Sequence, residues 1–277
     1  MDVDECFDVC NDINFIRRIL VSSLNVETKA YKLGISCLQF RNKYKPRSLT
    51  PNKDFPIAAS QNIYSIASGY STQKGWPVLY VKAKLWNPWK YTTDEYIKMI
   101  AFTLETGEKA MDPHRPLSRM YIIQDMNQMS LLYNDLRKIR WLAKLISEYY
   151  PERCIGVAVN ADLVTKVMWN ILSPMLDSRT RDGVSIYRPG IAGQEFLKDV
   201  IGMDIVTPSL GGNLENELPP LSQHTSNQYR WSNYFSSTNN SEEESKQHET
   251  STSSSSKASS NITSEESGKQ DAKKEEK

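Results

Sequence analysis

Residues 149–187 of this 277-residue chain, YYPERCIGVAVNADLVTKVMWNILSPMLDSRTRDGVSIY, leave little room for anything but a strand, a helix and a second strand. Ile155 to Ala161 is a short run rich in valine, broken only by Asn160 and bounded by Pro151 and Asp162. That is the composition of a strand buried on both faces, as in a parallel sheet. The apolar period then changes. Val164, Met168, Ile171 and Met175 recur at four- and three-residue spacing, with Asp162 placed to cap the helix and Pro174 to end it. Val184 to Tyr187 returns to a strand pattern, so the unit is a parallel pair joined through a helix and the fold class is α/β.

The rest of the chain supplies the layers around this unit. Residues 11–45 carry two helical stripes, one through Phe15, Ile19 and Leu20, the other through Ala30, Leu33, Cys37, Phe40 and Tyr44, with Asn25-Val26-Glu27 turning between them. Residues 44–72, punctuated by Pro46, Pro51, Pro56 and Gly69, read as a loop-rich connection. Val78 to Lys82 and Arg119 to Asp125 read as strands. Asp94 to Ala110 and Leu131 to Tyr149 read as helices, the second with Arg137, Lys138, Arg140 and Lys144 on a solvated basic face. Gln194 to Ile201 forms a short amphipathic helix between Gly190, Gly193 and Gly202.

From Ser236 the chain is Ser- and Thr-rich, with six lysines against nine acidic residues and almost nothing apolar, a composition that predicts disorder. Trp231, Tyr234 and Phe235, just before it, are candidates for docking back on the domain. The organisation expected is a helical lobe over residues 1–50, a main domain over 51–214, a linker over 215–235 and a tail over 236–277.

Several function classes are excluded by what is missing. Neither G-x-G-x-x-G nor G-x-x-x-x-G-K-[ST] occurs, which argues against a nucleotide enzyme despite the α/β pattern. The three histidines, His114, His224 and His248, are scattered, and no nucleophile-base arrangement forms near Asp112 or Gln124. The expectation is therefore no enzyme, no metal and no cofactor beyond a bound ligand. Cys6, Cys10, Cys37 and Cys154 include no CxxC pair. With no export signal and no apolar run of about eighteen residues, they suit reduced thiols in a cytoplasmic protein that touches membranes only peripherally. The formal net charge of +1 gives no argument for nucleic acid.

Tyr150-Pro-Glu-Arg153 ahead of a buried strand, the strand end Asn160-Ala161, a Trp-bearing helix and the turn Pro174-x-Leu-Asp-x-x-Thr180 together resemble the Sec14-like, CRAL-TRIO lipid-binding domain. Gly75-Trp-Pro-Val-Leu-Tyr80 and Pro208-Ser-Leu-Gly-Gly212 resemble two further motifs of that family, and the similarity runs from about Asn11 to Gly212. The resemblance implies a mainly parallel sheet flanked by helices around an apolar cavity, with a small helical lobe before it. It implies a monomer that carries one phospholipid or other apolar lipid and meets membrane surfaces transiently. A non-exchanging scaffold of the same fold, acting through protein partners, is the alternative.

Carried over by position, the family's headgroup contacts fall on Glu152 and Thr180, and a hydroxyl used toward phosphocholine falls on Ser130. The lysine that completes the inositol site falls at Gly183, so no preference for phosphatidylinositol is expected. The cavity is expected to be lined by Tyr80, Met99, Phe102, Ile122, Val157, Val159, Met168 and Leu172. The family's gating helix is expected to present Phe196, Leu197, Val200 and Ile201.

Overall fold

The structure is a computed structural model that describes residues 9–115, 117–130, 135–215 and 218–223, all of which belong to one compact unit. The expectations for the tail 236–277, and for the docking of Trp231, Tyr234 and Phe235, lie outside the described residues.

Helices α1 (Ile13–Ser22) and α2 (Glu27–Tyr44) form the N-terminal pair. Asp12 caps the first, accepting from the Asn14 amide at 2.8 Å. Strand β1 (Tyr64–Tyr70) follows three short helical turns, and β2 (Pro77–Lys82) pairs with it antiparallel. The connection read as loop therefore contains an edge strand. Its sequence, YSIASGY, alternates weakly and is interrupted by a change of register between Ile66 and Tyr70, which hides it from a search for β-branched runs.

Helix α3 (Thr93–Lys109) starts at a capping box in which Thr92 and Glu95 satisfy each other's backbone amides. It is buried on almost every side from Tyr96 to Gly107, as its wide apolar face requires. Strand β3 (Met120–Asp125), helix α4 (Leu136–Lys144, then a wide turn over Leu145–Tyr149) and strand β4 (Cys154–Val159) complete two parallel steps. Asp135 caps α4, so this helix begins at Leu136; the expected start at Leu131 lies outside the described residues. Lys138, read as part of a solvated face, is buried instead: its ammonium donates to the carbonyls of Pro88 (2.6 Å) and Tyr91 (2.9 Å) and pairs with Asp135 at 3.2 Å. A buried ammonium needs such a cage.

Helix α5 (Leu163–Leu172), the short helix α6 (Ser178–Asp182), strand β5 (Ser185–Ile186) and helix α7 (Ile191–Phe196, widening over Leu197–Ile201) close the fold. The sheet order is β1-β2-β3-β4-β5, antiparallel at β1 and parallel elsewhere. This is the mixed, mainly parallel sheet flanked by helices that the sequence implied. Val78, Tyr80, Tyr121, Ile123, Val157 and Val159 share one face and pack on Leu197, Ile201 and Val206. Leu79 and Ile122 share the other face, toward α3 and α4.

Candidate functional site

The α3 and α4 face of the sheet is hollow. Its floor is Leu79 and Val81 of β2, Ile122 and Gln124 of β3, and Gly156 and Ala158 of β4, which the strand register sets side by side. The hollow exists because β4 presents only Cys154, Gly156 and Ala158 here, while its large residues point the other way. A Cβ on Gly156 would already come within 3.2 Å of the Val184 side chain. Walls are supplied by Tyr96, Ile100 and Thr103 of α3 and by Ile139, Leu142 and Ile146 of α4 and its final turn. Helix α5 roofs it with Thr165, Met168, Trp169 and Leu172. The cavity holds about 1390 Å³ of atom-free space, its open mouth included.

No charged side chain is among the described residues that line it. The phenols of Tyr64 and Tyr96 are pushed far above their ordinary range by burial, so they too stay neutral. Thr103 donates its hydroxyl to the Met99 carbonyl at 2.8 Å, which spends its polarity within the helix. The chamber accepts apolar chains and penalises a buried charge.

Helix α5 differs from the other long helices of the domain. Of its ten residues only Thr165 is buried. Met168, Trp169 and Leu172 face the cavity, while Leu163 is 73% exposed and Val167 38%. A capping box between Asp162 and Thr165 starts it, with the Thr165 amide donating to the carboxylate at 3.0 Å.

The expected lining residues divide by strand parity. Ile122, Met168 and Leu172 line the cavity. Tyr80, Val157 and Val159 do not; they lie on the opposite face, where the Tyr80 hydroxyl donates to the Ile205 carbonyl at 2.9 Å. Met99 and Phe102 point to the far side of α3, with Phe102 against Phe55 at a ring distance of 5.6 Å. Phe196, Leu197, Val200 and Ile201 also lie away from the cavity. Leu197 and Ile201 are fully buried on the far side of the sheet, and Phe196 packs edge-on against Tyr121. Backbone bonds from Thr72 to Ile201 (2.9 Å) and from Gln73 to Val200 (3.2 Å) pin this helix down. A short helix between glycines has the same sequence signature whether it swings or packs.

Of the headgroup positions, Thr180 lines the cavity, with its hydroxyl donating to Asp177 at 2.5 Å. Glu152 is not part of the lining. Its carboxylate, 5% exposed, accepts from Arg119 and from Arg179 Nε at 2.5 Å, and its carbonyl accepts from Arg18 at 2.5 Å. Burial and the neighbouring Arg119 lower the Arg18 pKa to about 10. Glu152 thus clamps α1, the start of β3 and α6 together, and cations stand beside it although position 183 is glycine. Ser130 is half-buried and borders residues 131–134, which are not described.

A second ionic cluster lies behind α3. Arg41 pairs with Glu105 at 2.7 Å, and Arg153 with Glu108. Burial alone would raise the Glu105 carboxyl, but the guanidinium groups of Arg41, Arg153 and Arg47 hold it below its ordinary value. Desolvation, with Arg18 and Arg41 nearby, lowers Arg153 to about 9. Among the described residues there is no cluster of His, Cys, Asp and Glu able to hold a metal, and no helix is long and apolar enough to cross a membrane.

A mainly parallel sheet that is packed on one face and hollow on the other, under a thinly anchored helix, has the architecture of a domain that binds apolar ligands. Residues 61–212 match the CRAL/TRIO domain, and the chain belongs to that family of lipid-binding domains, which are generally not enzymes. A CRAL-TRIO domain-containing protein of Schizosaccharomyces pombe is 22% identical over 138 residues, 49% of this chain and 30% of that protein. The match thus spans less than a third of that relative's length. The crystal structure of Sfh5 superposes with a TM-score of 0.60 at 15% identity, covering 78% of this chain and 77% of that one, and so shares the fold.

Proposed function

We propose that this protein takes up one lipid in the cavity between the sheet and α5, exchanges it with membranes, and uses α5, not α7, as the moving lid. The observation that carries this reading is the chemistry of α5 and its chamber together. The chamber has an uncharged lining, and its roof is apolar on the inside through Met168, Trp169 and Leu172 and on the outside through Leu163 and Val167. An outer face of this kind is favoured where a membrane can cover it, and the inner face where a lipid can. Burial of acyl surface yields about 25 cal/mol per Å², but a bilayer already shields the same chains, so exchange rather than net capture results.

Native mass spectrometry of the purified full chain tests uptake, with one co-purifying lipid per protein expected. Replacing Leu163 and Val167 by Asp is expected to slow lipid exchange between vesicles without lowering the melting temperature, because neither side chain is buried. An empty wild-type protein that transfers nothing would instead favour the scaffold alternative.

A further inference from the structure

The basic stripe of α4 is split by the fold. Lys138 turns inward, and its ammonium, held on the carbonyls of Pro88 and Tyr91, ties the turn Pro88–Lys90 to the start of the helix. Leu136, Arg137 and Arg140 stay outside and share one helical face. The tied turn, in which Asn87 accepts from the Trp89 amide at 3.3 Å, carries Trp89 and Lys90 against that face. Trp89 is 59% exposed and Leu136 46% exposed, and the preceding turn Ala83–Leu85 adds exposed Lys84 and Leu85. Three large apolar side chains therefore stand in solvent among four exposed cations. The carboxylates nearby are committed elsewhere. Asp135 is buried and shared by Lys138 and Arg137, Asp94 pairs with Lys98 at 2.8 Å, and Glu95 accepts from the amides of Thr92 and Ile57.

We propose that this face docks the protein on an anionic membrane leaflet, with Trp89 in the headgroup layer and the cations over the lipid phosphates. The proposal goes beyond the carrier reading: the surface is not part of α5, and a protein that carried no lipid could still dock through it. A tryptophan ring is favoured at a membrane–water interface, where one end is apolar and the other wet. Each lysine or arginine near an anionic leaflet adds attraction that grows with the negative surface potential. A nucleic acid or an acidic peptide would answer the cations but leave Leu85 and Leu136 in water, whereas a leaflet covers both kinds of side chain at once. The Lys138 cage holds the turn in place beforehand, so little order is lost on docking. The same two elements send Trp86 and Ile139 into the cavity, so a protein seated here meets the leaflet with one wall of its chamber.

The test is flotation of the full-length chain with dioleoylphosphatidylcholine vesicles, with and without about a third of dioleoylphosphatidylserine. Wild type is expected to bind the anionic vesicles, to ignore the neutral ones, and to be released as salt rises from roughly 0.1 to 0.5 M. Lys90→Gln/Arg140→Gln is expected to weaken binding about twentyfold, at about fivefold per cation, and Trp89→Ala several-fold. Both variants should keep the wild-type melting temperature, because these side chains are exposed. The exchange Lys90→Arg/Arg140→Lys is expected to bind as wild type does. Equal binding to neutral and anionic vesicles, or binding that Lys90→Gln/Arg140→Gln leaves intact, overturns the proposal. So does capture of a uridine oligonucleotide through the same side chains in place of vesicles, which would make the face a nucleic-acid surface. Lipid co-purification is read separately: an empty protein that still floats with anionic vesicles defeats the carrier reading and leaves the docking face standing.

Discussion

The two faces of the sheet are built from the same strands and do opposite things. On the α7 face, β4 contributes Val157 and Val159, which meet Leu197 and Ile201 in a filled core. On the other face the same strand contributes Gly156 and Ala158, and the helix above them stands off. One residue of offset along a strand thus separates packing from vacancy, because side chains alternate faces with period two. A cavity in this fold arises from small residues of one parity under a roof that other contacts hold in place.

The largest effect that would sharpen this contrast concerns the charges braced behind the hollow face. Glu105→Gln removes the nearer of the two carboxylates that face buried Arg41, leaving Glu108 at 3.9 Å, and is expected to destabilise the protein by about 3 kcal/mol in urea titrations. The wild type should also be acid-sensitive. Because the Glu105 carboxyl is held below its ordinary value of 4.5, its contribution is complete above that pH and is lost as the pH falls through the depressed folded value. The variant should show a shallower loss over the same range.

On the filled face, Leu197→Ala is expected to remove about 2–5 kcal/mol while the remaining folded protein keeps its lipid. Loss of lipid with unchanged stability would show that α7 gates after all. Filling the hollow face is the converse experiment. Ala158→Phe should reduce lipid co-purification several-fold at a cost of about 1–3 kcal/mol, since the ring enters the cavity but must fit beside Met126, Met129 and Met168. Smallest of all, Leu172→Ala on the half-buried underside of α5 should cost about 0.5 kcal/mol and raise the lipid off-rate, measured by competition with unlabelled vesicles.

Much of the fold is legible in the sequence. Valine-rich runs, the Asp162 cap and the helical spacing of Met168 and Leu172 are local signals, and the elements they predicted are present within a few residues. Strand β1 was not legible, because edge pairing rescues a sequence with little intrinsic strand character. The site was legible in part. Ile122, Met168, Leu172 and Thr180 line the cavity, but pairing Ile122 with Tyr80 and Val157 mixed the two faces. Strict parity from Ile122 would have pointed to Leu79 and Gly156, its lateral neighbours in the sheet.

The order of strands and helices, the absence of nucleotide loops and the family's motifs follow from the residues alone, since each depends on neighbours a few positions away. Which face is hollow, which helix roofs it, and where charge is spent were decided only by the tertiary structure. A strand apolar on both faces has no local mark that tells one from the other. Glu152 reads as a headgroup ligand until Arg119 and Arg179, 33 and 27 positions distant, are seen to occupy it. Lys138 likewise reads as solvated until backbone carbonyls nearly fifty residues away close around it. Burial and countercharge are properties of assembled surfaces, and no window of sequence contains them.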